Sequence, residues 1–193
     1  ARDADRIALG VQRGLVLALL LAVPTAPALW PVRLVFTLFR QPPELIDLAA
    51  SYVRISIVGL LPFLGFVVLR QSLQALHRVR ALVIVVVVGN LMNAGLNWAL
   101  VYGHLGAPPM GVSGSAWATV ASRWTMMVLL FAGGWPALRG AVRPWRREAF
   151  ERSALARMLR LGWTIGLQQV LEFGVFAAIG LLMGVLGTPE MAA

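Results

Sequence analysis

The sequence contains no cysteine and no lysine, and only eight acidic residues and two histidines. Without cysteine, disulfides, thiolate metal sites and cysteine nucleophiles are all excluded. The 17 basic residues are therefore all arginine, to which no functional weight attaches. His77 and His104 lie far apart in loop segments; they make no metal-ligand spacing and are expected to be solvated. There is no Ser/His/Asp arrangement and no glycine-rich phosphate loop, the glycines being scattered as turn and helix-packing residues. No enzyme reading survives that search. The start of the sequence is not expected to be a secretory leader either, because the first apolar run, from Leu15, is too long and lacks a convincing cleavage site. The chain has no initiator Met and ends in GTPEMAA without a hydrophilic tail, so a fragment of a longer protein is expected.

Charge as a whole is scarce. Charged residues make up 13% of the chain, hydrophobic residues 59%, and the mean hydropathy is +0.78. Soluble domains carry about 25% charged residues. Several windows exceed the roughly 18 uncharged residues that a membrane-crossing helix needs. The expected class is an all-α integral membrane protein, a polytopic helical bundle with five transmembrane helices. A net charge of +9 and a pI near 11.7 would also suit a nucleic-acid binder. The membrane accounts for them better, since the arginines cluster in short loops between apolar spans.

Along the chain, residues 1–13 are polar, and residues 14–32 form the first span. Pro24, Pro27 and Pro31 should kink or unwind its second half. Pro42-Pro43 starts a short helix with Glu44 in its first turn, where an acid suits the helix dipole. Residues 51–76 form the second span, with Pro62 and Gly65 inside it. A tight basic loop, 77–80, leads to the third span, 81–102. A Gly/Pro-rich turn precedes the fourth span, 114–135, where Gly111, Gly114, Ala118 and Ser122 would permit close helix packing. Residues 146–160 read as an amphipathic helix at the membrane surface: Phe150, Ala154 and Met158 share one face, and Glu148 and Arg152 are spaced for an i,i+4 pair. The fifth span is 161–186. Counted by loop, thirteen arginines fall on one side and three on the other, with Arg123 inside a span. The richer side, with the 77–80 loop and the 139–160 connector, is expected to be cytoplasmic.

Polar groups at membrane depth are the candidate functional residues. Asn90, Asn93 and Asn97 fall on nearly one stripe of the third span. A carboxamide facing hydrocarbon leaves donors and acceptors unpaired, so the stripe must meet protein, a polar cavity or an ion. Helix–helix glue and cavity lining fit equally well on physics alone. Glu172 is the one acid well inside an apolar span, a costly position that marks an ion, proton or substrate site, against the alternatives of a structural ion pair with Arg123 or a neutral hydrogen-bonded acid. A carboxyl that is neutral when its site is empty and charged when a cation binds is a workable coupling device. Arg123 could snorkel, pair with Glu172 or line a cavity.

The segments RQSLQAL, GNLMNAGLNWALVYG and GAPPMGVSGSAWAT, in this order and spacing, resemble the multidrug and toxic compound extrusion (MATE) transporters in their NorM-like branch. LRLGWTIGLQQVLEFGVFAAIGLLMGVLGTPEMAA resembles the opening helix of that family's second half. The resemblance implies two six-helix lobes, with 1–138 as part of the first, 139–160 as the cytoplasmic connector and 161–193 as the start of the second. It implies multidrug or organic-cation efflux across the inner membrane, by antiport coupled to Na+ or H+ entry. No cofactor is implied beyond that ion; the partners are cationic drugs, the bilayer and the remaining helices. Asn93 and Asn97, with Asn90 adjacent, match the family's cation cavity, and Thr119 is a weaker match to a polar residue there. Glu172 matches the acid of the second lobe and is the candidate Na+ ligand. The aspartate partners of both sites would lie outside this sequence. Trp163-Thr164 departs from the family's usual proline and puts the bend of that helix in doubt. The alternative functions are a lipid-linked oligosaccharide flippase of the same superfamily and a non-transporting membrane scaffold.

Overall fold

The structure, a computed structural model, describes residues 2–186, and every regular element in that range is helical: α1 (Arg2–Leu29), α2 (Val32–Leu38), α3 (Pro43–Val58), α4 (Leu60–Ala75), α5 (Val79–Tyr102), α6 (Gly111–Val142), a 3-10 turn (Arg147–Phe150) and α7 (Arg152–Leu186). Residues 187–193, the end of the expected second-lobe segment, lie outside the described residues. Among those described, three helices (α1 from Asp5, α5 and α6) are long and apolar enough to cross a membrane, and α3 with α4 makes a fourth if the bent pair is one span.

The chain divides into two units, one made of residues 1–30 and 51–150, the other of 31–50 and 151–193. In the first unit α6 is the central element, packed against α5, α4 and α1. Its core joins Phe66, Leu69 and Leu73 of α4 to Leu82 and Val85 of α5 and to Leu130 and Leu138 of α6. The outer face of α5 is as apolar as its inner one: Val83, Ile84, Val87 and Leu91 are exposed. A helix apolar all round is what lipid contact requires.

The glycines set the α5–α6 packing. A Cβ on Gly114 would stand 2.6 Å from the Leu100 carbonyl oxygen, and one on Gly89 would meet Met126. Gly133 faces Ala81. These three pairings fix an antiparallel register along the whole seam. The expected close-packing set is thus borne out at Gly114, Ala118 and Ser122, all buried. Gly111 does something else: it is exposed, with φ +54°, where α6 begins.

Several boundaries differ from expectation. The polar residues 2–13 are not a separate segment but the first turns of α1, where Ala8 and Val11 pack on Ala141. The helix also runs through Pro24 and Pro27 and stops only at Trp30-Pro31. The second span is broken: α3 and α4 meet at Gly59 with a 52° bend. Pro62 has no N–H to give the Val58 carbonyl, so the ladder stops there. Within the first turn of α4 that missing donor costs nothing. After Tyr102 the chain turns at Gly103, whose φ of +76° and close approach to Pro109 both require glycine. His104 N–H then donates to the Ala99 carbonyl at 2.9 Å and Met110 N–H to that of Leu100 at 2.9 Å, closing the end of α5.

In the second unit, the helix begun by Pro43 and Glu44 is not short: α3 continues to Val58, passing into the first unit at Ser51. Arg33 pairs with Asp47 at 2.6 Å, both half-exposed. Of the surface helix expected over 146–160, residues 147–150 are a 3-10 turn and 152–160 are the first turns of α7, which runs unbroken from Arg152 to Leu186. Because that turn ends before Glu151, Glu148 and Arg152 do not share one α-helix.

Candidate functional site

The polar stripe of α5 resolves into two different arrangements. Asn90 is exposed, and its Nδ2 donates to the Val86 carbonyl at 2.9 Å, one turn back on its own helix. Asn93 and Asn97 are half-buried and bonded to each other. Asn97 Nδ2 donates to the Asn93 backbone carbonyl at 2.9 Å and to Asn93 Oδ1 at 3.1 Å. Each carboxamide keeps one polar atom outside this bond: the Asn93 amide nitrogen and the Asn97 oxygen. Neither is among the buried side-chain atoms without a partner, which among the described residues are Arg54 Nε and Arg70 Nε. The pair therefore presents a donor and an acceptor, one helical turn apart, to accessible space.

Thr119 belongs to the neighbouring helix. Interpolating the α5–α6 register between its glycine contacts puts Thr119 at a depth between Asn93 and Asn97. Its hydroxyl donates to the Ser115 carbonyl at 2.9 Å, which leaves the oxygen lone pairs as acceptors. Ser122, at 2% exposure, makes the same back-bond to Ala118 at 2.8 Å and is spent on packing.

Arg123 finds its neighbour on α4. Its guanidinium lies over the Phe63 ring, 5.0 Å from the centroid. This contact is worth about 0.5–2 kcal/mol, more as water is excluded. Glu172 stands on α7 in the other unit with its side chain exposed, between the exposed Leu171 and Phe173. The structure therefore joins Asn93 with Asn97 and sets Thr119 at their level, while Glu172 belongs to a separate unit. Among the described residues no three of His, Asp and Glu gather as a metal site.

Two features were missed from the sequence. His104 is not merely solvated: its ring stacks on Trp98, with centroids 4.1 Å apart, and Nδ1 is 3.0 Å from the Trp98 carbonyl. Gln12 is wholly buried and clamps the end of α6. Its Nε2 donates to the carbonyls of Ala141 (2.9 Å) and Pro144 (3.0 Å), and its Oε1 accepts from Arg146 N–H at 3.0 Å. Asp5 pairs with the Arg146 guanidinium beside it. Nothing in the local sequence signals Gln12, whose partners are about 130 residues away.

The MatE family model matches residues 1–99. The chain is 33% identical over 192 residues to a probable multidrug resistance protein NorM of a Synechococcus species, covering 97% of this chain and 41% of that one. It is 36% identical to a protein of the same description from Mesorhizobium japonicum, with 95% and 40% covered. A multidrug resistance protein MdtK from Cronobacter sakazakii is 30% identical, with 97% and 42% covered. The chain thus spans about two fifths of the length of these relatives.

Proposed function

The chain belongs to the MatE family, which comprises transporters and not enzymes, and on that premise we propose that it is part of a multidrug efflux antiporter. The substrates are organic cations, and the driving force is entry of Na+ or H+. The observation that carries this reading is the Asn93–Asn97 pair: two carboxamides at membrane depth, bonded to each other, with one donor and one acceptor left facing accessible space. Helix glue would also use such atoms, and membership of a transporter family favours a cavity wall. A cavity wall for large cations of varied shape needs them free but neutral. Thr119 contributes a further acceptor at that depth.

The charge that couples transport to an ion must come from elsewhere. No Asp or Glu occurs between Asp47 and Glu148, so α4, α5 and α6 carry no carboxylate. Glu172 is the acid we assign to coupling, with oxygen ligands from beyond this chain completing any Na+ site. In this reading α7 is the fifth span and opens the second lobe, residues 1–138 belong to the first, and the 77–80 loop and 139–160 connector face the cytoplasm of the inner membrane. The arginine distribution supports that orientation. The parallel course of α4 and α6 agrees with it: Gly59 meets Val120, Gly65 meets Met127 and Gly134 meets Leu73. The flippase alternative rested on Arg123, whose place over Phe63 gives it no support.

The test is efflux of a fluorescent dye cation from cells carrying the whole protein. Asn97→Ala is expected to lower ion-driven efflux about tenfold, the effect of losing one hydrogen-bonding partner worth about 1.4 kcal/mol. Glu172→Gln is expected to abolish ion dependence. Undiminished, ion-dependent efflux by Glu172→Gln would remove Glu172 from the mechanism, and unchanged efflux by both Asn93→Ala and Asn97→Ala would remove the asparagine pair.

A further inference from the structure

A cavity of about 480 Å³ lies at the opposite end of α5 from the asparagines, between the α4–α5 turn and α6. At 1.5 Å per residue it stands about 20 Å from Asn93, so it is not part of the proposed cation site. One wall is basic, formed by His77, Arg78 and Arg80; the other is apolar and narrow, formed by Ala81, Gly133 and Pro136. The three basic side chains are exposed and have no ion pair or hydrogen bond among the described residues. The acid-free run between Asp47 and Glu148 means that none of the three helices lining the cavity offers them a carboxylate.

The turn itself is pinned by backbone hydrogen bonds. His77, at φ +55°, donates its N–H to the Gln74 carbonyl at 3.0 Å, and Arg78 N–H donates to that of Leu73 at 2.8 Å. This closes the end of α4. The first turn of α5 has no side-chain cap, so its N–H groups add to the positive potential at the cavity mouth. The basic wall stands where the apolar span of α5 begins, the depth of lipid headgroups.

We propose that this cavity binds the phosphodiester of an anionic phospholipid. Arg78 and Arg80 hold the phosphate, and an acyl chain lies along Ala81, Gly133 and Pro136. The volume falls in the range of about 300–1,000 Å³ of small-ligand sites, and basic pockets between membrane helices are suited to such headgroups. A free phosphate would satisfy the arginines but leave the apolar wall unused; the apolar wall favours the lipid. The inference rests on the membrane placement proposed above and not on the transport reading.

The test is native mass spectrometry of the purified protein in detergent, titrated with phosphatidylglycerol or phosphatidylcholine, with and without inorganic phosphate. Phosphatidylglycerol should be retained preferentially. The double variant Arg78→Gln/Arg80→Gln should weaken it roughly thirtyfold, given the attraction of an anionic lipid for each arginine. Gly133→Leu, which keeps the charge but fills the apolar wall, should also weaken it. A Cβ at 133 meets only Ala81, at 3.8 Å, an ordinary contact, and an unchanged melting temperature checks that the longer side chain leaves the α5–α6 seam intact. Arg152→Gln/Arg157→Gln, on α7, should change nothing. Equal retention of the two lipids, or wild-type affinity in both cavity variants, would overturn the proposal. Full displacement of the lipid by inorganic phosphate would identify a soluble anion and overturn it as well. An effect of the α7 variant equal to that of Arg78→Gln/Arg80→Gln would reduce it to non-specific charge.

Discussion

Replacing Gln12 tests whether a single buried amide on α1 holds the end of α6 and the short connector that leaves it. Gln12 is 0% exposed and serves three backbone groups at once: the carbonyls of Ala141 and Pro144 and the N–H of Arg146. In Gln12→Met the volume is nearly kept and all three partners are lost. A backbone group left buried and unpaired costs about 1–3 kcal/mol. The bond to Ala141 is buried, so its loss costs near the top of that range. Pro144 and Arg146 are only partly buried, and water can recover some of theirs. The net loss is about 3 kcal/mol. The neighbouring contacts are weaker. Asp5 and Arg146 are 51% and 32% exposed, which limits their pair to about 1 kcal/mol or less. Arg13 reaches the Glu148 carbonyl at 3.2 Å in an exposed setting. At about 2–4 °C per kcal/mol for a chain of this size, Gln12→Met should lower the melting temperature in detergent by about 6–12 °C, and Asp5→Asn by no more than about 4 °C. Gln12→Glu should be at least as harmful as Met, since a carboxylate would face two carbonyl oxygens. Tryptophan fluorescence on heating reads the melting temperature, and limited proteolysis between 143 and 150 reads the connector. A Gln12→Met protein melting within about 2 °C of wild type, with the connector no more cleavable, would refute the clamp.

At the α5–α6 seam, Gly114→Ala should cost about 1–3 kcal/mol, because the new Cβ meets the Leu100 backbone, whereas Gly89→Ala should cost less despite a shorter nominal approach, because Met126 is a flexible side chain that can move. The reverse order in melting temperature would show that the seam can open at its Gly114 end. His77→Gly should stabilise the protein by about 0.5–1 kcal/mol by relieving a left-handed backbone at the end of α4; a lower melting temperature would mean that the imidazole makes a compensating contact.

The spans with the clearest apolar pattern were legible in the sequence. The third, expected over 81–102, is α5 at Val79–Tyr102, and Gly114, Ala118 and Ser122 pack as their spacing implied. Helix ends and breaks were less so, because they depend on hydrogen bonds that composition does not reveal. Pro24 and Pro27 look stronger as breakers than Pro62, yet the chain bends at Gly59, where Pro62 removes the first bond of α4. At the candidate site a stripe of three asparagines was legible but not its division, since the half-burial of Asn93 and Asn97 and the exposure of Asn90 depend on where α6 lies. Gln12 and the stacking of His104 on Trp98 were illegible for the same reason: each depends on a partner placed by the folded backbone.

The glycine contacts along α5 and α6 have a mechanical consequence. Touching near both ends and in the middle, the two helices act as one stiff beam rather than as two rods that can splay. A beam can tilt, but its internal spacings do not change as it does. The depth of Thr119 relative to Asn93 and Asn97 should therefore be the same in every state of a working cycle. In the transport cycle proposed above, opening and closing around these residues would fall to elements outside the beam, and α4, which packs on α6, already meets α3 in a 52° bend at Gly59.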